Sequence, residues 1–410
     1  MNDLQTFVIA GASLAGAKAA ETLREEAFTG RILLVGEEAE RPYERPPLSK
    51  QYLAGSADRE SIFVHAEEWY AEHDVDLLLG TRVTALDREA HEVMLSDGSR
   101  ERYDKLLLAT GSSPLRLRMT GSDAPNVMTL RTVGDSERLR EAVSGGGHVV
   151  VVGAGWIGLE TAAAARTYGA EVTVVEPQPT PLHQVLGPEL GEVFATVQRD
   201  HGVVLRLGEG VGALRTSGGR VTEVVTSSGD AVPADIVVVG VGIRPNTEIA
   251  EAAGLAVDHG VLVDAALRTD DPDVYAAGDV ANAFHPVFGE RIRVEHWANA
   301  LNGGPVAARS MLGQDVVYDR VPYFFSDQFD LGMEYSGWAP RGSYDQIVYR
   351  GDAAKREFVA FWLQEGRVRA GMNVNVWDVT APIQAMILSG RQMDPERLAD
   401  TSSPLADLTA

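Results

Sequence analysis

The sequence predicts an α/β fold in which two domains built on parallel sheets, one inserted into the other, precede a C-terminal α+β domain with an antiparallel sheet. Three observations carry this prediction. A strand–glycine turn–helix–strand pattern occurs twice, over residues 6–37 and 148–176. Its strands are continuous apolar runs, as expected of parallel strands covered on both faces. Beyond Val321 the pattern changes to short strands separated by turns, with a single helix near the end. A chain of 410 residues has room for two to four ordinary domains.

In the first copy of the pattern, Thr6–Gly16 reads as a strand running into a tight turn, residues 17–27 as an alanine-rich helix, and Arg31–Glu37 as a strand ending in an acid. In the second, His148–Gly158, residues 159–168 and Ala170–Glu176 repeat the order. Alanine favours the helix and is small enough to let it pack closely on a sheet. Leu106–Pro114 reads as a strand entering a Gly/Ser turn, and Leu267–Asp279 as a turn, a short strand and a Gly-Asp terminus. Toward the C-terminus, Gln346–Tyr349, Glu357–Trp362 and Arg367–Ala370 read as strands and residues 379–389 as a helix.

Composition narrows the chemistry. With 36 Lys+Arg against 59 Asp+Glu the formal charge is −23, which argues against a nucleic-acid or anionic-membrane partner. Cysteine is absent. That excludes disulfides, a thiolate nucleophile, a redox dithiol and cysteine-ligated zinc or iron–sulfur clusters. The nine histidines show no spacing that suggests a metal site, and His296 reads as structural. Met1–Thr6 lacks a cationic leader, and the apolar stretch Val149–Ala165 carries Glu160 and is short for a bilayer span. A soluble, cytoplasmic protein is expected.

The duplicated pattern is that of a Rossmann-like dinucleotide-binding unit. The first glycine permits the sharp turn, the second lets backbone approach a diphosphate, and the third lets helix and strand pack closely. The helix N-terminus then meets the phosphates, and the acid meets a ribose. The second copy supplies Gly153, Gly155, Gly158 and Glu176, the acid 23 residues beyond the first glycine. The first copy supplies Gly11 and Gly16, with Ser13 in the middle place and Glu37 lying 26 residues beyond Gly11. A lone glycine triplet could be a plain turn; two copies in register predict two nucleotide sites.

Together with the first copy, Ala109, Thr110 and Gly111 of Leu106–Pro114 and Gly278-Asp279 resemble the FAD fingerprints of flavoprotein reductases with two dinucleotide domains. Arg41–Lys50, Trp156-Ile157-Gly158-Leu159-Glu160, Val239–Asn246, Val294–Trp297 and Pro322–Gln328 sharpen the likeness. Across nearly its whole length the chain is similar to the FAD-dependent ferredoxin reductases that serve bacterial cytochromes P450 and aromatic-ring dioxygenases. The resemblance implies an FAD domain over 1–110 and 240–318, an inserted NAD domain over 111–239, and a C-terminal domain over 319–410.

It also implies roles for single residues, each of which has a plainer reading. Lys50, otherwise a solvated lysine after a proline-fixed turn, falls near flavin N5. Glu160, otherwise a favourable acid early in a helix, falls beside the nicotinamide, facing Lys50. Asp279 falls on the ribityl chain, with Gly278 near the flavin diphosphate. Trp297, otherwise a core aromatic, falls at the pyrimidine edge. Arg45, Arg131 and Val83 match further FAD contacts, and Ile157, Gly240 and Gly242 lie in segments that approach NAD. Phe325 stands where the family commonly has a tryptophan proposed to lie between flavin and partner.

The implied activity is NADH:ferredoxin oxidoreduction, with FAD and NADH as cofactors. A [2Fe–2S] ferredoxin is the transient, electrostatically docked partner, and a P450 or ring-hydroxylating dioxygenase the indirect one. Arg291, Arg293 and Arg309 are candidates for a local basic docking patch. Rubredoxin reduction, NADH-dependent reduction of a quinone or ascorbyl radical, and a redox-sensing FAD protein are the alternatives. Relatives that reduce disulfides use a cysteine beside the flavin, and this chain has none.

Overall fold

The structure, a computed structural model, describes residues 4–408. Those residues form two compact units, one of residues 4–44, 59–113 and 244–322, the other of residues 45–58, 114–243 and 323–408.

The first unit is built on a five-stranded sheet in the order Val274–Ala276, Lys105–Leu108, Thr6–Ala10, Arg31–Val35, Val75–Leu78. All its pairings are parallel. The apolar runs that predicted these strands are buried, with Val8, Ile9, Leu34, Leu106 and Val274 at 0% exposure or close to it. The helix Leu14–Glu25 crosses between Thr6–Ala10 and Arg31–Val35. It begins three residues before the expected start, because the glycine turn passes directly into the first helical turn. It stops at Glu25, and Ala27, expected inside it, takes a left-handed φ of 58° that no helix accommodates. The helix Trp297–Met311 packs against it so closely that a Cβ on Gly304 would stand 2.3 Å from the Ala15 carbonyl oxygen.

The second unit repeats the plan. Its parallel sheet runs Val204–Leu207, Glu171–Glu176, His148–Val152, Ile236–Val239, Val127–Met128. The helix Trp156–Thr167 makes the crossover. The helix His183–Asp200 is kinked where Gly187 takes a φ of 79° ahead of Pro188. An antiparallel sheet follows, ordered Tyr323–Gln328, Leu331–Gly337, Arg367–Val374, Glu357–Gln364, Gln346–Asp352. The expected strands lie inside three of these, and the expected terminal helix is Thr380–Ser389. One core joins the two sheets of this unit, with Val149, Val174, Leu190 and Phe194 in the same apolar cluster as Phe324, Trp362 and Met372. The strand Tyr323–Gln328 is thereby anchored beside the helix Trp156–Thr167, and this places the chemistry described next.

Candidate active site

Both glycine turns have the shape a diphosphate needs. In the first unit Gly11 takes a φ of 129°, and a Cβ there would lie 2.1 Å from the Ala109 carbonyl oxygen. A Cβ on Gly16 would meet the Gly11 carbonyl at the same 2.1 Å. Neither position admits a side chain, so strand, turn and helix are packed backbone to backbone. Ser13 is the N-cap of Leu14–Glu25, yet its side chain caps nothing and no acid stands in the first turn. The helix therefore presents its N–H groups and partial positive charge outward. By contrast, the helix Val133–Val143 is closed by a complete Thr132/Asp135 capping box.

Of the other first-unit residues, two pack against this turn and its helix. Ala109 follows the strand Lys105–Leu108 and touches Gly11; Gly278 approaches the helix, its would-be Cβ 3.3 Å from that of Ala15. Asp279 accepts a hydrogen bond from the Ser112 hydroxyl at 2.7 Å. Thr110 and Gly111 are clamped by Asn246, whose amide donates to the Thr110 carbonyl at 2.8 Å and whose backbone N–H donates to Gly111 at 2.9 Å. Trp297 opens the helix that packs on Leu14–Glu25, with His296 as its N-cap. Burial pushes the His296 imidazole down to about 4, partly opposed by the Asp279 carboxylate. Glu37 lies beyond the strand Arg31–Val35, exposed, with Arg82 at 3.7 Å, and the neighbouring Val83 is buried. The donors, the acid and the side-chain-excluding cradle fit an FAD, whose diphosphate the helix N-terminus would hold.

In the second unit Gly153 has a φ of 100° and its Cβ would fall 2.4 Å from the Gly240 carbonyl oxygen; that on Gly158 would fall 2.2 Å from Gly153. Gly155 differs, since a Cβ there meets nothing within 4 Å. The fold does not require glycine at that position, and the bare backbone there leaves room for a ligand to approach. Gly155 is an N-cap without a side-chain hydrogen bond, and Ile157, in the following turn, is exposed. Gly242 has a φ of 109° and accepts from the Leu115 N–H at 2.9 Å, which fixes its loop. The Glu176 carboxylate is held at the turn by the N–H groups of Ala154 at 2.7 Å and Gln178 at 2.9 Å. Each oxygen keeps a further lone pair. This set fits a nicotinamide dinucleotide.

The same unit contains a buried ion pair, Lys50 Nζ to Glu160 Oε2 at 2.9 Å, with side-chain exposures of 7% and 2%. Lys50 follows a short 3-10 turn, Pro46–Ser49, opened by its proline pair. Glu160 lies one turn into Trp156–Thr167 and is buried. Three donors meet its carboxylate, Lys50, the Ser49 hydroxyl at 2.5 Å on Oε2 and the Ser326 hydroxyl at 2.7 Å on Oε1. The Lys50 ammonium also stands 5.1 Å from the centre of the Phe325 ring. Beside them, burial and the Glu160 and Glu334 carboxylates push the Asp327 carboxyl up, against the pull of Lys50. Arg45 donates to the Arg131 carbonyl at 2.5 Å, so these two also meet.

The arginines expected to form a docking patch are engaged. Arg309 pairs with Glu26 at 2.8 Å, Arg293 pairs with Glu295, and Arg291 donates to the Val263 and Asn282 carbonyls. Sequence proximity could not reveal these partners. The sequence reading also missed Ser49, Ser112, Asn246 and Ser326, although all four lie in segments quoted for their likeness to the family. A polar residue inside an apolar strand, as at Ser326, was the available signal. Among the described residues no group of three or more His, Asp or Glu is placed to hold a metal ion, and no helix is long and apolar enough to cross a membrane.

Two nucleotide cradles and a buried lysine–glutamate pair define a flavin- and nicotinamide-dependent oxidoreductase. Residues 5–304 match the family model of pyridine nucleotide-disulphide oxidoreductases and residues 323–409 that of the reductase C-terminal domain, and the chain belongs to this family. Within it, the chain is similar to ferredoxin–NAD(+) reductases. It is 41% identical to the anthranilate 1,2-dioxygenase system ferredoxin–NAD(+) reductase component of Burkholderia cepacia over 96% of this chain and 97% of that one. It is 36% identical to putidaredoxin reductase of Pseudomonas putida, over 100% and 98%. Among solved structures, the ferredoxin reductase for the CYP199A2 system of Rhodopseudomonas palustris superposes with a TM-score of 0.95 at 38% identity, covering 100% of both chains. The covalent putidaredoxin reductase–putidaredoxin complex gives a TM-score of 0.95 at 36% identity, over 99% and 98%.

Proposed function

We propose that this chain is an NADH:ferredoxin oxidoreductase that supplies single electrons to a [2Fe–2S] ferredoxin serving a cytochrome P450 or ring-hydroxylating dioxygenase. The observation that carries the reading is the presence of two dinucleotide cradles in a chain without cysteine. With no thiol to receive them, electrons leave the flavin directly for an outside acceptor.

FAD supplies the conversion of a two-electron hydride donor into single-electron delivery. The protein's own residues bind and orient. Gly11, Ser13, Gly16 and the helix they open hold one diphosphate, and Asp279, with Ser112 behind it, accepts from the ribityl chain. Gly153, Gly155 and Gly158 hold the other diphosphate, and Glu176 takes the ribose diol of NADH. Lys50 keeps a positive charge where reduction adds a negative one, and Glu160 anchors it. The cytoplasm, where NADH is plentiful, is the setting this reading calls for.

The test is anaerobic titration of the yellow, FAD-containing protein with NADH, followed by ferredoxin, rubredoxin or a quinone in parallel. Preference for ferredoxin by tenfold or more in kcat/KM is the expected outcome. A chain that folds but neither contains nor binds FAD would overturn the reading entirely.

A further inference from the structure

The core of the second unit contains a chain of polar side chains that nucleotide binding does not require. Ser326, Gln328 and Gln198 are each fully buried at 0% exposure. Gln198 Nε2 donates to the Leu159 carbonyl at 3.2 Å and to Gln328 Oε1 at 3.0 Å. Gln328 Nε2 donates to Ser326 Oγ at 3.2 Å, and Ser326 donates to Glu160 Oε1 at 2.7 Å. The path closes on itself, because Leu159 and Glu160 are adjacent residues.

The order of donors is informative. Because the Ser326 oxygen accepts from Gln328, its single proton is left to point at Glu160. Because Gln328 Oε1 is held by Gln198, the Gln328 amide cannot turn over to reverse that direction. Three polar side chains stand in an apolar core, where burial of polar groups is costly and where Gln198 Oε1 is left without a partner, and together they aim one hydroxyl at one carboxylate oxygen. The other oxygen then faces Ser49 and Lys50. Strand alternation adds a further link. Ser326 and Gln328 lie on the buried face of Tyr323–Gln328, whereas Phe325, beside the Lys50 ammonium, lies on the other.

We propose that Ser326 is a positioning residue for electron transfer: oriented by Gln328 and Gln198, it fixes the Glu160 carboxylate and, through it, the Lys50 ammonium. The strand Tyr323–Gln328 therefore sets the lysine from both faces, by the Ser326 hydroxyl through Glu160 and by the Phe325 ring directly. This rests on the reading above, in which Lys50 is the cation that offsets charge gained by the flavin.

The experiment is a double-mutant cycle on the FAD-loaded protein with Ser326→Ala, Glu160→Ala and the double variant, reading the flavin midpoint potential, the rate of flavin reduction by NADH and the NAD+ dissociation constant. Ser326→Ala should lower the potential and slow reduction about tenfold, with nucleotide affinity unchanged within twofold, and Ser326→Thr should recover most of the rate. In the Glu160→Ala background, adding Ser326→Ala should have less than a twofold effect, since the serine acts through the glutamate. A merely structural serine would lower the melting temperature without moving the potential, and that result, or full additivity of the two substitutions, would overturn the proposal. Should Ser326→Ala fail to load FAD, Gln328→Met, which removes the orienting amide but keeps the hydroxyl, must show the same slower reduction and lower potential in weaker form. Gln328→Met with the wild-type rate and potential would likewise overturn it. Failure of the underlying reading would appear differently, as a wild-type protein that NADH does not reduce.

Discussion

Glu176 is expected to decide between NADH and NADPH, and the size of the effect follows from where its carboxylate is held. The backbone N–H groups of Ala154 and Gln178 fix it beside the glycine turn, so it cannot swing away from an incoming 2′-phosphate. A dianionic phosphate about 4 Å from a unit charge is repelled by about 2 kcal/mol at the dielectric of water and about 8 kcal/mol at an effective value of 20. Glu176 is only partly buried, which favours the lower end. Losing a ribose hydrogen bond adds about 1 kcal/mol. The adjoining residues Pro177-Gln178-Pro179-Thr180-Pro181 contain no Lys or Arg to compensate. The sum, about 2–4 kcal/mol, corresponds to about 30- to 1000-fold in kcat/KM. Steady-state kinetics with each nucleotide and a saturating one-electron acceptor measures the ratio directly. Glu176→Gln should cut the preference at least tenfold, and Glu176→Arg should narrow it further or reverse it. Equal efficiency with NADPH in the native protein would refute the reasoning, whatever the variants do.

Three further outcomes are expected. Lys50→Met strands a buried carboxylate that keeps only its two serine donors; it should destabilise the fold by about 3–5 kcal/mol in denaturant unfolding, slow flavin reduction by NADH and lower the flavin potential, and a variant unchanged in all three would return this lysine to a bystander's role. Gly153→Ala and Gly155→Ala should separate folding from binding. The first drives a Cβ into the Gly240 carbonyl and should lower the melting temperature, while the second meets only open space and should weaken NAD+ binding at an unchanged melting temperature. Burial pushes the His285 imidazole down, opposed by its hydrogen bond to the Arg320 carbonyl and by the Asp319 carboxylate. The folded state therefore takes up this proton less readily than the unfolded one, so stability present above about pH 6.5 is lost as pH falls below it. Unfolding curves at pH 7.5 and 5.5 should show this loss, and His285→Gln should reduce it.

Both nucleotide cradles were legible in the sequence because the chemistry there is local. A glycine turn, the helix it opens and the acid at the end of the next strand lie within 30 residues, and each residue type has its own steric or electrostatic cause. At the first site Ser13 stands in the middle glycine's place, and its side chain leaves the helix N-terminus uncapped. The Lys50–Glu160 pair came only through resemblance, since 110 residues separate its members and no periodicity joins them; the structure brings them to 2.9 Å. Ser326 and Gln328 were invisible for the opposite reason. In a strand that otherwise alternates, they occupy buried positions normally given to apolar residues, where Ser326 is partnered by Glu160 and Gln328 by Ser326 and Gln198. The partners of the three candidate docking arginines were not legible, because charge in a sequence carries no information about what neutralises it. Arg309 finds Glu26 from 283 residues away.

Entry of electrons from NADH and their exit one at a time to a ferredoxin, without a thiol, can be followed by anaerobic double-mixing stopped flow. The protein is first mixed with one equivalent of NADH and then with excess oxidised [2Fe–2S] ferredoxin, with the flavin and cluster absorbances followed together. NADH should bleach the flavin rapidly, and its colour should return rapidly as two equivalents of ferredoxin become reduced. A flavin that NADH bleaches but that stays reduced in the presence of ferredoxin, and regains its colour only with a quinone or oxygen, would contradict this route.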